Sequence, residues 1–193
     1  KDYKMTSISV SDLSGNGQHT WACSASGQIV KILDDDNTKV FNYEIENISK
    51  KEKIPKCTRI EVTFDSSFYV ISDKGDLVRF VPTVFGFYES TKIASDVVDI
   101  GSNLEGATFY INKKNELYKI GNKDLGTKNF KPQKYFKFKY DVERIDVGTD
   151  KEGVTYVLAV TKKNELVKFP IPQYVLDDDK TTKGFEAINN NKE

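Results

Sequence analysis

The chain has 193 residues, with 29 Lys and Arg against 29 Asp and Glu, so its formal charge is zero. A chain without surplus charge has no long-range field to hold an anionic polymer, which sets nucleic acid aside as a partner, and no stretch reaches the roughly 18 apolar residues of a membrane span. One histidine, His19, and two cysteines, Cys23 and Cys57, are too few for a four-ligand Cys/His zinc site and argue against a histidine-dependent triad, so the chain is expected to be no enzyme and to carry no metal or cofactor. Twelve Phe and ten Tyr beside one Met and one Trp favour strands over helical bundles.

In chain order, Lys1 opens the sequence with neither a methionine nor an apolar leader, which reads as a processed mature chain or a fragment of a longer one. A short alternating strand at Ile8-Ser9-Val10 is followed by the polar loop Asp12 to Gly17. Next comes WACSASGQIVKI from Trp21, a hairpin turning at Gly27, and then an aromatic element at Val40-Phe41-Asn42-Tyr43. The same order returns as Ile60-Glu61-Val62, the loop Phe64 to Ser67, YVISDKGDLVRF from Tyr69 turning at Gly75, and Val84 to Tyr88. It returns again as Val98-Asp99-Ile100, the loop Ser102 to Gly106, FYINKKNELYKI from Phe109 turning at Asn115, and Lys134 to Phe138. The last copy is Ile145-Asp146-Val147, the loop Thr149 to Gly153, LAVTKKNELVKF from Leu158 turning at Asn164, and the shorter Gly184 to Ile188.

Gly and Asn enter the left-handed backbone region at least cost, so their recurrence at one place marks four tight turns. The turn residues lie about 40 to 50 residues apart, the period of a propeller blade. Each repeat supplies four antiparallel strands, here A to D, and the fold class expected is all-β, a β-propeller of four blades. The repeats span approximately residues 4–45, 57–90, 96–139 and 143–188 of one domain, 1–193. A closed four-bladed ring is the economical reading, with an arc of a larger propeller as the alternative.

At these residues the chain resembles the tectonin-type repeat of tectonins and tachylectin-like lectins. Trp21 and Gly27 match the family's tryptophan and glycine, and Asp99-Ile100-Gly101 and Asp146-Val147-Gly148 match its first element. The tryptophan becomes Tyr69, Phe109 and Leu158 in the other copies, and the glycine becomes Asn115 and Asn164. The resemblance implies a propeller and, through its lectin members, recognition of glycans.

Candidate ligand-binding residues follow from that reading. Trp21, Tyr69 and Phe109 share one place on strand B, where an aromatic face could stack on a sugar ring or pack between blades, and Leu158 at the fourth place favours packing. Asn16, His19, Asp65, Asn103 and Asp150 sit in the A to B loops, where short polar side chains could line a pocket or simply form turns. Asp12, Ser14, Asn16 and Gly17 imitate half a calcium loop, but Cys23 stands where the bidentate Glu would be. Asp34 to Asp36 and Asp177 to Asp179 read as solvated loops. Ser9, Glu61, Asp99 and Asp146 share a place on strand A, as an acidic channel or as acceptors for a neighbouring blade's backbone.

The function expected is a recognition module binding glycans or glycoproteins, with a structural adaptor in a protein assembly as the alternative. Cys23 and Cys57 either pair as a disulfide or leave Cys23 as a small buried residue. Asn47-Ile48-Ser49 fits a glycosylation acceptor and weakly favours a secreted or cell-surface setting.

Overall fold

The computed structural model describes residues 9–16, 20–32, 56–84, 88–121 and 132–176. They form fourteen strands and one helical turn in four antiparallel sheets. The chain divides into two compact units, Lys1–Val97 and Val98–Glu193, with two sheets in each.

In the first unit, β1 (Val10–Gly15), β2 (Thr20–Ser24) and β3 (Ile29–Ile32) form one sheet, and β4 (Cys57–Val62), β5 (Phe68–Ser72), β6 (Leu77–Pro82) and β7 (Tyr88–Ala94) form the next. In the second unit, β8 (Val97–Ser102, straddling the division), β9 (Thr108–Asn112), β10 (Glu116–Ile120) and β11 (Gln133–Lys137) form a four-stranded sheet. There β12 (Val142–Thr149), β13 (Thr155–Thr161) and β14 (Leu166–Pro170) form a three-stranded one, followed by the single turn α1 (Gln173–Leu176). The expected outer strands at Val40 to Tyr43 and Gly184 to Ile188 lie outside the described residues. The outer strand expected at Val84 to Tyr88 instead begins at Tyr88, because Val84 lies in the preceding turn and is 95% exposed.

All four hairpins turn where the repeat grammar places them. Gly27 and Gly75 have φ of 85° and 82°, and Asn115 and Asn164 take 59° and 61°. Each such turn closes with the same bond, for instance Gly27 N–H to the Ser24 carbonyl at 2.9 Å and Asn164 N–H to the Thr161 carbonyl at 2.9 Å. The left-handed residue also aims its carbonyl outward: Gly27 accepts from Cys57 N–H at 2.8 Å and Asn115 from Phe138 N–H at 2.8 Å. At Gly27 this bond runs to the next blade, whereas at Asn115 it stays within its own sheet, at the end of β11. Asn115 adds its side chain, whose Oδ1 accepts Val142 N–H at 3.0 Å while Nδ2 donates to Asp141 at 2.9 Å.

Both units join their two blades alike. Asp12 Oδ2 accepts the Ile60 N–H at 2.9 Å, and Asp99 Oδ2 accepts the Ile145 N–H at 2.8 Å. Four residues further on, Asn16 donates to the Thr63 carbonyl at 2.8 Å and Asn103 to Thr149 Oγ1 at 2.9 Å. This corrects the first repeat: the counterpart of Asp99 is Asp12, not Ser9, and Asp12 to Gly15 belong to β1, not to a loop. The expected strand Ile8-Ser9-Val10 is thus placed early, since β1 begins at Val10 and its anchoring residue, Asp12, stands three positions after Ser9.

The units differ in their cores. In the first, Trp21, Phe68 and Phe80 stack in series at centroid distances of 4.5 and 4.9 Å, with Tyr88 edge-on to Trp21. Cys23 and Cys57 pair as a disulfide joining β2 to β4, with Cα atoms 5.4 Å apart. In the second unit the corresponding places are Ile111 and Val142, both buried in an aliphatic and aromatic cluster with Phe109, Leu117 and Tyr135. Burial of this kind is the main stabilising contribution to each unit.

Candidate functional site

The aromatic series on strand B is core. Trp21 is 1% exposed, Tyr69 1% and Phe109 0%, so no ring face is open to a sugar. The stacking reading is corrected for a physical reason: strand B is the second strand of its sheet, hydrogen-bonded on both sides, as β2 lies between β1 and β3. Its residues therefore point into one packed face or the other. Lys31 Nζ lies 5.5 Å from the Trp21 ring, and the indole Nε1 is buried without a hydrogen-bond partner. Tyr69 lies under Arg79 at 5.9 Å; burial pushes its phenol above the ordinary range, and the guanidinium pulls it part of the way back.

The A to B turns show what the polar candidates do. Asp65 Oδ1 accepts from Thr63 Oγ1 at 2.5 Å and from Ser67 Oγ at 2.6 Å, while Oδ2 takes Arg79 at 3.0 Å. Partial burial raises the Asp65 pKa, but the two hydroxyls, the Ser67 N–H and Arg79 outweigh it and leave the carboxyl below its ordinary value. Asp150 similarly accepts the N–H groups of Glu152 and Val154, both at 3.0 Å, with Lys168 at 3.8 Å. Asn103, 8% exposed, accepts from the Glu105 and Ala107 N–H groups. These residues brace turns, and Asn16 and Asn103 also tie neighbouring blades. His19 lies outside the described residues, as do Gly17, both triple-Asp runs and Asn47 to Ser49.

The side chains of the calcium-like stretch are engaged with protein: Asp12 and Ser14 oxygens accept the Ile60 and Val62 N–H groups, and Asn16 Nδ2 donates to the Thr63 carbonyl. Among the described residues no group of three or more His, Cys, Asp or Glu is placed to hold a metal ion, and no helix is long and apolar enough to cross a membrane.

The second unit contains a cavity that the sequence reading missed. It has a volume of about 230 Å³ and is lined by Glu105, Lys119, Gly153, Thr155, Gln173 and Leu176 among others. Lys119 is 6% exposed and donates to the Val175 and Leu176 carbonyls at 2.7 and 2.8 Å, so its ammonium caps the end of α1. Glu105 accepts from Thr149 Oγ1 at 3.0 Å, and that hydroxyl accepts from Asn103, which links the two turns at the cavity. The one available signal was Lys119 itself, the basic member of the strand C tail in the copy whose turn carries Asn103 and Glu105. What the sequence hides is α1, a single turn after Pro170-Ile171-Pro172.

No family model matches the chain. No curated protein matches it either. Among solved structures it is similar to apo AztD from Citrobacter koseri, with a TM-score of 0.53 and 9% identity over 84% of this chain and 47% of that one. It is similar to U3-55K with a TM-score of 0.55 and 9% identity, over 88% of this chain and 54% of that one. The fold is a β-propeller. Its four sheets are four blades. The chain spans about half the length of these two structures. A third similar structure, of a protein named as a candidate gluconolactonase, has a TM-score of 0.46 and 10% identity over 80% of this chain and 60% of that one. The expectation that the chain is no enzyme is withdrawn, because scarcity of histidine does not exclude catalysis on a scaffold that hosts many chemistries. The tectonin resemblance is carried by the repeat residues alone, without a matching family model.

Proposed function

We propose that the chain is a recognition module that docks another protein through its A to B turns. The observation that carries this reading is the apolar side chain at the turn tips. Phe64 is 52% exposed in the first unit, and Leu104, at the same place in its turn, is 74% exposed in the second; Val154, 41% exposed, closes the remaining turn, whose tip carries Lys151. Turn tips are ordinarily polar, and large apolar groups held in water by braced turns are what a protein partner buries. The disulfide supports an oxidising compartment for this role, where such bonds persist.

The test is a photo-crosslinking residue placed at position 64 or 104, with adducts identified by mass spectrometry. One defined protein adduct, abolished by Phe64→Asp or Leu104→Asp, is the expected result. Absence of any adduct in the protein's native source would overturn it.

The glycan reading keeps one observation in its favour, the cavity whose Glu105, Lys119, Thr155 and Gln173 offer the donors and acceptors that sugar hydroxyls need. A glycan array decides it: a specific response lost in Gln173→Ala would replace the protein-docking reading, and a blank array would remove the sugar.

A further inference from the structure

The opposite ends of the strands, where B turns into C, differ sharply between the two units. At the two left-handed turns the first unit carries Ala25-Ser26 and Asp73-Lys74, which sum to no net charge. The second carries Lys113-Lys114 and Lys162-Lys163 at the same places, all exposed. Since both units use the same turn geometry, the four lysines are not required by the fold.

These turns form one continuous surface in the second unit. Asn115 donates to Asp141, the Asp141 carbonyl accepts Lys162 N–H at 2.9 Å, and Asn115 accepts Phe138 N–H at 2.8 Å. The stretch 138–141 is therefore clamped between the two lysine turns, and it brings exposed Lys139 and Tyr140, the latter 48% exposed, between them. Exposed Lys137 precedes it. Lys162 and Asp141 approach only to 4.0 Å with side chains 67% and 66% exposed, a solvated pair that quenches little of the charge.

We propose that this face binds an acidic peptide segment of a partner protein, with lysines around an aromatic anchor. It is independent of the A to B turn tips, which lie at the other ends of the same strands. Interspersed Asp141, Glu143 and Glu165, all exposed, would repel the unbroken charge of a phosphate backbone, whereas a peptide can space its carboxylates between them and lay one apolar side chain on Tyr140. The zero net charge of the chain also supplies no field to gather a polyanion.

The experiment uses the full chain and a short fluorescent peptide of Asp and Glu with a central Phe, followed by anisotropy. Binding should weaken about tenfold in Lys114→Glu/Lys163→Glu and fall with added salt. Lys114→Gln/Lys163→Gln should show a smaller loss, which separates removed attraction from added repulsion. Lys74→Glu, at the matching turn of the first unit, should leave affinity unchanged, and circular dichroism checks that each variant is folded. Failure of the peptide to bind, or equal binding by the double variants, overturns the proposal. So does a single-stranded oligonucleotide or a phosphatidylserine vesicle that binds more tightly than the peptide and responds to the same variants, because the face is then a general polyanion surface.

Discussion

Trp21 shows how a residue can be found correctly and read two ways. Its place in the repeat was legible because a large apolar residue opens every hairpin, but whether the ring faces water depends on which sheet face it occupies, and that is a tertiary fact. Its contact with Phe68 and its 1% exposure decide for packing. Trp21→Ala should cost about 3 to 5 kcal/mol in chemical denaturation. Trp21→Phe should cost much less, because it also removes the buried indole N–H that has no partner. Equal losses for the two would contradict a packed, unsatisfied indole. Glu116 makes the complementary electrostatic case. It accepts from Lys134 at 2.5 Å, Asn112 at 3.0 Å and Tyr118 at 3.1 Å. Lys134 first, then the Asn112 and Tyr118 hydrogen bonds, outweigh slight desolvation and lower its pKa from 4.5 to about 2. A depressed folded pKa means that the contribution is fully present above pH 4.5 and lost as pH falls toward about 2. Acid unfolding should therefore show wild type ahead of Glu116→Gln at neutral pH, with the gap closing across that window; a constant gap would refute the assignment.

At the scale of elements, the hairpins and their left-handed residues were readable because Gly and Asn carry a local backbone requirement. The register of the first repeat was not, since the loop before Trp21 gives no count of how far β1 extends, and the true anchor is the bond from Asp12 to Ile60 in the next blade. Likewise the cavity depends on α1, whose single turn leaves no periodic pattern to read. The two asparagine turns look equivalent in sequence but perform different work. Asn115 holds Val142 and Asp141 with its side chain, whereas Asn164 is exposed and its turn bond is made by its backbone. Asn115→Gly keeps the left-handed backbone and removes the clamp, so it should destabilise by about 1 kcal/mol. Asn164→Gly should stay within about 0.5 kcal/mol of wild type. Thermal melts of the two variants side by side provide the check, and a reversed order would be incompatible with the clamp.

For the molecule as a whole, the repeat pattern announced a propeller, and the four sheets with their structural neighbours bear that out. The pairing of blades into two similarly built units was not legible, because it rests on side-chain bonds between adjacent blades rather than on any strand's own pattern. One of those units is covalently joined and the other is not. The cross-link closes a segment with a sequence separation of 34 between Cys23 and Cys57. Under tension this becomes a mechanical property. When the chain is pulled from its two ends, force passes through the sulfur bridge and the intervening segment stays slack even after both units have opened. At about 3.4 Å for each extended residue, the bridge withholds roughly 110 Å of contour length. Optical-tweezers traces of the oxidised protein should end short by that amount, and adding a reductant should return it in full.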